Sequence, residues 1–373
     1  MSSMSCINND AEIGAFSIIK TPTKTIENSH ENKKFNKIFT PSNIDTTMSI
    51  SMYSETLPYL EYHKRMIQRQ RRGKKFFNID GLTFNKDDLE FTTAQLGNWG
   101  SSAFVPLSAY FDTYQIKGKS GKGDVLFTGY YSPVLRVSSI QNSEYRYPIY
   151  AKPKEMIEFP SRADIYRGAL EGQAEILAYA RNLLEIHQMQ LQGSGYVVYE
   201  NGKKYLFSYG GSNRHPRRSI QKYFVEKHGG GRKGASIPYI KKYIQLNPET
   251  AESILSHDSS FVFFEKNKSG SKVKGSGNVP LTPFLSIATD KRYIPTGACL
   301  IGYKPLPGKS YPVRYEPTLL LAQDVGGAIK GTGHIDLYCG VGEQGRKATG
   351  FRDNGFLWLL LARKERNAEY IPH

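Results

Sequence analysis

Hydrophobic positions from Phe76 onward fall in short runs that are separated by glycine, asparagine and aspartate. Runs of this kind, bounded by turn-forming residues, are typical of β structure. Residues 196–211 predict a β-hairpin, because Asn201-Gly202 favours a tight turn between two apolar runs. Further strands are predicted at 124–131, within 134–160, at 260–266, at 319–322 and at 335–338, and FLWLLL (356–361) predicts a fully buried strand.

Helical patterns are fewer and lie mainly in the middle of the chain. Residues 87–97 predict a helix that ends at Gly97, and Ser161 precedes Asp164 at the spacing of a capping box. A longer helix is predicted over 169–191, where apolar side chains share one face at Leu170, Ala174, Leu177, Leu184 and Leu191. Short helices are predicted at 57–72 and 249–256.

The elements follow the order β, mixed, β along the chain. An inserted domain gives this order, and so do two consecutive domains; a length of 373 residues suggests two. Residues 1–50 are rich in serine, threonine, asparagine and lysine, so we expect residues 1–75 to be a disordered or extended N-terminal region.

Asp336 lies in the predicted strand Ile335-Asp336-Leu337-Tyr338. Because strand side chains alternate, Asp336 shares a face with Tyr338 and has apolar neighbours on both sides. Burial disfavours a charged carboxylate, so Asp336 is expected to stay protonated near neutral pH, as a general acid must. The structural alternative is that Asp336 caps a turn or pairs with Lys330.

The net charge of +16 predicts an anionic partner. Nucleic acid, anionic lipid and an acidic polymer such as peptidoglycan all fit this charge. The 25 tyrosines suit a sugar-binding groove, and they equally suit an ordinary β core.

Motifs for metals and cofactors are incomplete. Gly308-Lys309-Ser310 lacks the earlier glycine of a phosphate-binding loop, and Gly340-Val341-Gly342 lacks the third glycine of a dinucleotide site. His215 and His257 have no histidine or cysteine at ligand spacing, and the three cysteines form no framework. We therefore expect no metal and no cofactor.

Three segments around carboxylates resemble one known family. ATDKRYIPTGACL (288–300) contains Asp290, LAQDVGGAIKG (321–331) contains Asp324, and HIDLYCGVGEQGRKATG (334–350) contains Asp336. They are similar to the three-aspartate domain of bacterial membrane-bound lytic murein transglycosylase A. Other blocks resemble the family in the same order: FTGYYSPVL (127–135), YPIYAKP (147–153), LQGSGYV (191–197), FSYGGSNRHPRRSI (207–220) and LNPETAESILSHDSSFVFFE (246–265). The resemblance covers roughly residues 124–363.

The resemblance implies a mainly β fold in which a double-psi β-barrel carries a second, smaller inserted β-domain. The barrel would comprise residues 76–132 and 260–373, with the three-aspartate domain at about 285–363. The inserted domain would comprise residues 133–259. The sugar chain would lie in the groove between the two domains.

The resemblance also implies an activity and its residues. The family cleaves the β-1,4 bond between N-acetylmuramic acid and N-acetylglucosamine without water and leaves a 1,6-anhydro sugar. Asp336 would be the catalytic acid and then base, with Asp324 and Asp290 in support. Substrate-binding positions would be Thr128, Tyr130, Tyr131, Gln192 and Ser194.

The expected partner is therefore the peptidoglycan glycan strand. A catalytically silent peptidoglycan-binding module is the second hypothesis. Nucleic-acid binding is suggested only by charge and lacks a reading motif, so no nucleic-acid partner is expected.

Family members are secreted and anchored to the outer membrane by lipid, which implies a periplasmic, outer-membrane-associated protein. This sequence has no apolar run that could span a membrane, and its first twenty residues lack the pattern of a secretory signal. Met4-Ser5-Cys6 fits the tail of a lipoprotein cleavage site with Cys6 as the lipidated residue, or an ordinary N-terminus.

Overall fold

β-strands make up most of the regular structure in the computed structural model. It describes residues 39–41, 44, 56–70, 76–100, 105–118, 120–121, 123–231, 236–305 and 315–364. The strands are β1 (Phe39–Pro41), β2 (Phe76–Ile79), β3 (Leu82–Asn85), β4 (Phe111–Ile116), β5 (Val125–Ser132), β6 (Val134–Ser138), β7 (Tyr147–Tyr150), β8 (Ile176–Ala180), β9 (Gly195–Val198), β10 (Lys204–Ser212), β11 (Val262–Lys266), β12 (Ser286–Thr289), β13 (Cys299–Pro305), β14 (Tyr315–Val325), β15 (His334–Val341) and β16 (Asp353–Ala362).

The helices are mostly short and stand between these strands. They are α1 (Leu57–Arg69), α2 (Lys86–Gly100), α3 (Leu107–Tyr110), α4 (Arg162–Tyr166), α5 (Leu183–Gln192), α6 (Ile220–His228), α7 (Ile237–Leu246), α8 (Ala251–Ser256) and α9 (Gly342–Ala348), with a 3₁₀ turn at Pro248–Thr250. In the described residues no helix is long and apolar enough to cross a membrane.

Eight strands form the first sheet, in the order β1-β4-β16-β13-β14-β12-β15-β5. A further pairing of β5 with β16 closes six of them, β16 to β5, into a barrel. The pairs β12–β14 and β15–β5 are parallel, whereas the other pairs in this sheet are antiparallel. The closed barrel agrees with the predicted mainly β fold, and its double-psi connection stays a prediction.

Alternation along β15 places the barrel core. Ile335 and Leu337 are buried in one apolar cluster with Phe127, Ile287 and Leu300. Asp336, between them, faces the other way, as the sequence pattern predicts. Because both of its neighbours are anchored in the core, Asp336 is held on a rigid strand.

The second sheet has the order β11-β10-β9-β6-β8-β7. Its β9–β10 hairpin turns at Gly202, whose φ of 76° lies in the left-handed region that glycine accepts readily. The chain leaves the first sheet after β5 and returns to it with β12. Strand β11 pairs with β10, so the predicted end of the insertion at residue 259 falls before the last strand of this sheet.

Two predictions of local structure are wrong, one in each sheet. Residues 169–191 are not one helix: β8 occupies Ile176–Ala180, and α5 begins after Asn182, whose side chain accepts the Glu185 amide. Strand β8 pairs with β7 and β6, and this non-local pairing overrides the helical spacing of the apolar residues. Residues 356–361 are not fully buried, because exposure alternates along β16.

The predicted capping box and three predicted short helices are confirmed. Helix α4 begins with the capping box in which Ser161 and Asp164 bond each other's amides. Helices predicted at 57–72, 87–97 and 249–256 are present with slightly different ends.

Part of the N-terminal region belongs to the folded unit. Strand β1 pairs with β4, and helix α1 buries Leu60, Met66 and Ile67 against the barrel, so neither segment is part of a disordered region. Cys6 and the tripeptide 308–310 lie outside the described residues.

Candidate active site

Four strands of the barrel align four residues in one row. Asp324 on β14 pairs with Ala288 on β12, Ala288 pairs with Asp336 on β15, and Asp336 pairs with Thr128 on β5. Paired residues on neighbouring strands present their side chains on the same face. The two carboxylates therefore share a face, two strand spacings or about 10 Å apart at the backbone, with a small alanine between them.

Asp336 is a half-buried carboxyl group with one close hydroxyl donor. Its Oδ1 accepts a hydrogen bond of 2.8 Å from the Thr128 hydroxyl. Burial raises its pKa to about 6, the Thr128 hydrogen bond opposes the shift, and the nearby Asp324 adds to it. Near pH 6 about half of the molecules thus carry a proton on Asp336, and no ion pair to Lys330 is present among the described residues.

His334 completes this arrangement, and sequence reasoning missed it. Its Nε2 lies 2.8 Å from the Thr128 hydroxyl oxygen. A hydroxyl has one proton, so when Thr128 donates to Asp336, His334 must donate to Thr128. Burial, and then the charge of Arg352, lowers the pKa of His334, which favours the neutral ring. The available signal was the spacing: His334 lies two residues before Asp336 and so on the same face of β15.

Asp324 is held by a loop that crosses close to β14. Its Oδ1 accepts the amides of Ser276 and Val325, both at 2.8 Å, and its Oδ2 accepts the Tyr130 hydroxyl at 2.9 Å. A Cβ on Gly275 would lie 2.5 Å from the Gln323 carbonyl oxygen, so only glycine permits this approach. Burial raises the pKa of Asp324 despite these donors.

Asp290 has a different environment. It is buried, and both of its oxygens accept hydrogen bonds from Arg292, the Nη2–Oδ2 distance being 2.5 Å. Its Oδ2 also accepts the Gly331 amide at 2.8 Å. These donors, Arg292 first, hold the pKa of Asp290 well below its usual value. Asp290 therefore anchors the loop before β15 as an anion at neutral pH.

The predicted substrate-binding residues fall into two groups. Thr128 and Tyr130 contact the carboxylates directly, and the rings of Tyr130 and Tyr338 lie 5.3 Å apart. Gln192, at the end of α5, accepts the amide of Tyr131 at 3.0 Å, which joins the helix to β5 beside the row. Ser194 follows in the half-buried turn between α5 and β9.

Comparison with known proteins agrees with this architecture. Residues 126–265 match the family described as the MltA specific insert domain, and residues 285–361 match the 3D domain. Membrane-bound lytic murein transglycosylase A of Escherichia coli K12 is 39% identical over 254 residues, which is 67% of this chain and 69% of that protein. The chain belongs to the membrane-bound lytic murein transglycosylase A family.

Other members of this family are also similar. The Vibrio cholerae protein is 37% identical over 251 residues, 66% of this chain and 68% of its own length. The solved structure of E. coli MltA with bound chitohexaose has a TM-score of 0.72 at 30% identity, covering 88% of this chain and 96% of that one. The predicted family and the mainly β fold are thereby confirmed.

The fold thus holds one carboxyl group with a single side-chain donor, Asp336, and two with several donors, Asp324 and Asp290. No cluster of three or more histidine, cysteine, aspartate or glutamate side chains that could hold a metal occurs in the described part of the chain.

Proposed function

We propose that this chain is a peptidoglycan lytic transglycosylase with Asp336 as its single acid and base. The observation that carries the proposal is the pKa of Asp336, raised to about 6, on a rigid barrel strand of a chain that belongs to this family. A carboxyl group with this pKa can both give and take a proton near neutral pH.

In the first step Asp336 protonates the glycosidic oxygen between N-acetylmuramic acid and N-acetylglucosamine. The bond from that oxygen to C1 of the muramic sugar breaks, and C1 gains oxocarbenium character. Thr128 occupies Oδ1, so Oδ2 is the oxygen that carries the proton. The nearby carboxylate of Asp324 favours the positive charge that develops on the sugar.

In the second step the ionised Asp336 takes the proton of the muramic C6 hydroxyl. The oxygen at C6 attacks C1 and closes a 1,6-anhydro ring, and Asp336 is again protonated. Ordinary glycosidases use a second carboxylate, either as the nucleophile or to activate water. Here the substrate supplies its own nucleophile, so one carboxyl group suffices.

The glycan strand would lie in a groove between the barrel and an inserted domain of about residues 133–259. Tyr131, Gln192 and Ser194 would contact it beside the row of carboxylates, and Asp290 would support the loop before β15. E. coli MltA has been solved with bound chitohexaose, which supports a glycan ligand for this fold. The net charge of +16 suits the carboxylates of peptidoglycan.

The relatives are named membrane-bound, so we place this protein in the periplasm at the outer membrane. No nucleic-acid partner is expected, because the sequence carries no recognised reading motif.

Mass spectrometry of the products from purified peptidoglycan in ¹⁸O-labelled water tests the activity. We expect 1,6-anhydromuramic ends without ¹⁸O. Reducing ends that contain ¹⁸O would mean hydrolysis and would contradict the mechanism. Binding without any product would favour the silent binding module.

A further inference from the structure

Helix α1 places a histidine, His63, in the interior of the protein, and the proposed mechanism gives it no part. The side chain is fully buried. Its Nε2 lies 3.0 Å from the carbonyl oxygen of Gly297, and its Nδ1 lies 3.3 Å from Nε2 of Gln323. Gln323 directly precedes Asp324 on β14. The buried contact therefore joins α1 to the strand that carries a carboxylate of the candidate active site.

The partners of His63 fix the direction of each hydrogen bond in a short buried chain. A carbonyl oxygen only accepts, so Nε2 donates to Gly297. Burial lowers the pKa of His63 to about 4, so the ring is neutral at pH 7 and its Nδ1 accepts from Gln323. Gln323 Oε1 then accepts the Ser286 hydroxyl at 2.5 Å, and Ser286 Oγ accepts the Thr282 amide at 2.8 Å. Turning the Gln323 amide over would set two acceptors, Oε1 and Nδ1, against each other, so the chain favours one orientation.

The backbone of Gln323 holds the loop that supplies a donor to Asp324. Its carbonyl oxygen accepts the Gly277 amide at 3.1 Å, and the neighbouring Ser276 amide donates to Asp324 Oδ1 at 2.8 Å. Met66 of α1 packs on the same loop, because a Cβ on Gly277 would collide with its sulfur. Helix α1 thus contacts both the Gln323 side chain and the loop that the Gln323 carbonyl holds.

We infer that His63 is a positioning residue for Asp324, which it holds through Gln323 and the loop at residues 275–277. The catalytic consequence rests on the proposed function, whereas the placement of Asp324 does not. Helix α1 precedes residues 126–265 and 285–361, so this support comes from outside both matched family domains. An imidazole is costly to bury unless both nitrogens are paired, and an apolar side chain would fill the space without that cost. The two directional bonds therefore account for a histidine here better than packing alone.

The position of Asp324 can be measured through its effect on Asp336. Burial raises the pKa of Asp336 most, and the nearby Asp324 raises it further. If the loop loosens and the Asp324 carboxylate moves away, the pKa of Asp336 should fall. Thr128 and His334, the other polar groups at Asp336, form no bond of the His63 chain and should keep their places. The pKa of Asp336 in the free protein thus reports on Asp324 without any substrate.

Two substitutions separate the two bonds of His63. Asparagine places an oxygen near the position of Nδ1 and can still accept from Gln323, whereas glutamine places a nitrogen near Nε2 and can still donate to Gly297. We expect His63→Gln to lower the pKa of Asp336 and His63→Asn to keep it near the wild-type value. Titration of the full chain by ¹³C NMR of the aspartate carboxyl groups measures this, with Asp336→Asn to assign the signal.

Turnover should follow the same order. His63→Gln should lose about ten-fold in kcat on peptidoglycan with little change in KM, because a misplaced group costs turnover more than binding. His63→Asn should retain most of the wild-type kcat. Equal losses in the two variants, or an Asp336 pKa that neither variant changes, would overturn the inference. Wild type that forms no anhydro product would instead refute the proposed activity and leave the pKa result standing.

Ser286→Ala tests the same chain if His63→Gln does not fold. It removes the donor to Gln323 Oε1 and leaves both bonds of His63 in place. The pKa of Asp336 should again fall, and an unchanged pKa would overturn the inference. Thr93→Val is the matched control, because it removes a buried hydroxyl in α2 that donates to the Leu89 carbonyl and lies outside the chain. The control should leave the pKa of Asp336 unchanged, and a fall as large as that in Ser286→Ala would also overturn the inference.

Discussion

The protein contains two clusters in which an aspartate and a histidine lie together, and they behave in opposite ways. In the barrel, Asp336 accepts a hydrogen bond from Thr128, which contacts His334. In the second part of the fold, Asp258 bonds His187 at 3.1 Å, and both side chains are fully buried. The same residue types thus occur at one half-buried site, which we call the open cluster, and at one fully buried site, the closed cluster.

The number of donors to the carboxylate separates the two clusters. Burial alone raises the pKa of Asp258, but bonds from His187 and the Arg218 amide, with the charge of Arg162, outweigh it, and the pKa lies below its usual value. Asp336 has a single hydroxyl donor, so burial prevails and the pKa rises to about 6. In these two clusters the direction of the pKa shift thus follows the balance between burial and the donors to the carboxylate.

Arg162 adds a buried cation to the closed cluster. Its guanidinium is 1% exposed and donates to the Asp258 carbonyl, to Gln190 at 2.7 Å and to Tyr166. A buried cation needs a nearby anion, and Asp258 supplies it. His187 stays neutral, because burial lowers its pKa to about 4. At neutral pH His187 is thus neutral and Asp258 is ionised, and we interpret the cluster as structural.

The largest expected effect comes from Asp336→Asn. Asparagine keeps the shape but exchanges no proton, so turnover should fall roughly a hundred- to ten-thousand-fold. Product release from peptidoglycan, measured with circular dichroism as a control for folding, checks this. Activity within a few-fold of wild type would remove Asp336 from the catalytic role.

The same variant should not lose stability. A raised pKa means that the stabilising contribution of Asp336 is complete below about 3.8 and is lost as the pH rises through about 6. At pH 7 the ionised group therefore destabilises the fold, and asparagine should raise the free energy of unfolding by roughly 1 kcal/mol. Urea unfolding at pH 5 and at pH 7 measures the free energy of unfolding of wild type and of the variant. The gain of the variant over wild type should be larger at pH 7.

Asp258→Ala should lose stability and keep turnover, the reverse of Asp336→Asn. Its loss removes the acceptor of the His187 and Arg218 hydrogen bonds and the negative charge that acts on the buried Arg162, which costs about 3–5 kcal/mol in the free energy of unfolding. Folded molecules should still turn over at low temperature within a few-fold of wild type. Asp258→Asn keeps one acceptor oxygen and should lose less. An Asp258→Ala protein as stable as wild type would contradict the structural role of Asp258. A folded but inactive protein would show that the closed cluster also takes part in the reaction.

Local signals in the sequence were enough to find Asp336, but neither its partners nor the closed cluster. Alternation around Asp336 predicted its apolar flanks and its raised pKa, because both depend on neighbours in the chain. The bond from Thr128 depends on the parallel register of β5 and β15, which brings together residues 208 positions apart. Arg162 and Asp258 are likewise 96 positions apart.

The false helix over 169–191 has the same cause. Leu170 and Leu177 fit helical spacing, but Leu177 lies in β8, which is stabilised by pairing with β7 and β6. Where non-local strand pairing competes with the local spacing of apolar residues, that spacing alone does not determine whether a helix or a strand forms. The Asn201-Gly202 turn was predicted correctly because a tight hairpin depends only on adjacent residues.

A smaller effect is expected from Thr128→Val, which removes the one side-chain hydrogen bond that Asp336 accepts. The hydroxyl favours the ionised form of Asp336, so its removal should raise that pKa by roughly half to one unit. Because the protonated acid starts the reaction, the alkaline fall in kcat/KM should move from about pH 6 to higher pH. Thr128→Ser should leave the profile in place. An unchanged profile in the valine variant would show that Thr128 does not tune the acid.

The smallest effect should come from Asp290→Asn, because Asp290 resembles Asp258 more than its neighbour in the groove. Its lowered pKa means that its stabilisation is present above about pH 4 and is lost as the pH falls. The variant should lose about 1 kcal/mol in the free energy of unfolding at pH 7, less at pH 3, and keep turnover within a few-fold. Arg292→Gln provides the matched partner: if the pair acts by holding the loop, the double variant should lose less than the two single losses together. Additive losses, or a loss of turnover as large as that of Asp336→Asn, would place Asp290 in the chemistry and not in the support of the loop.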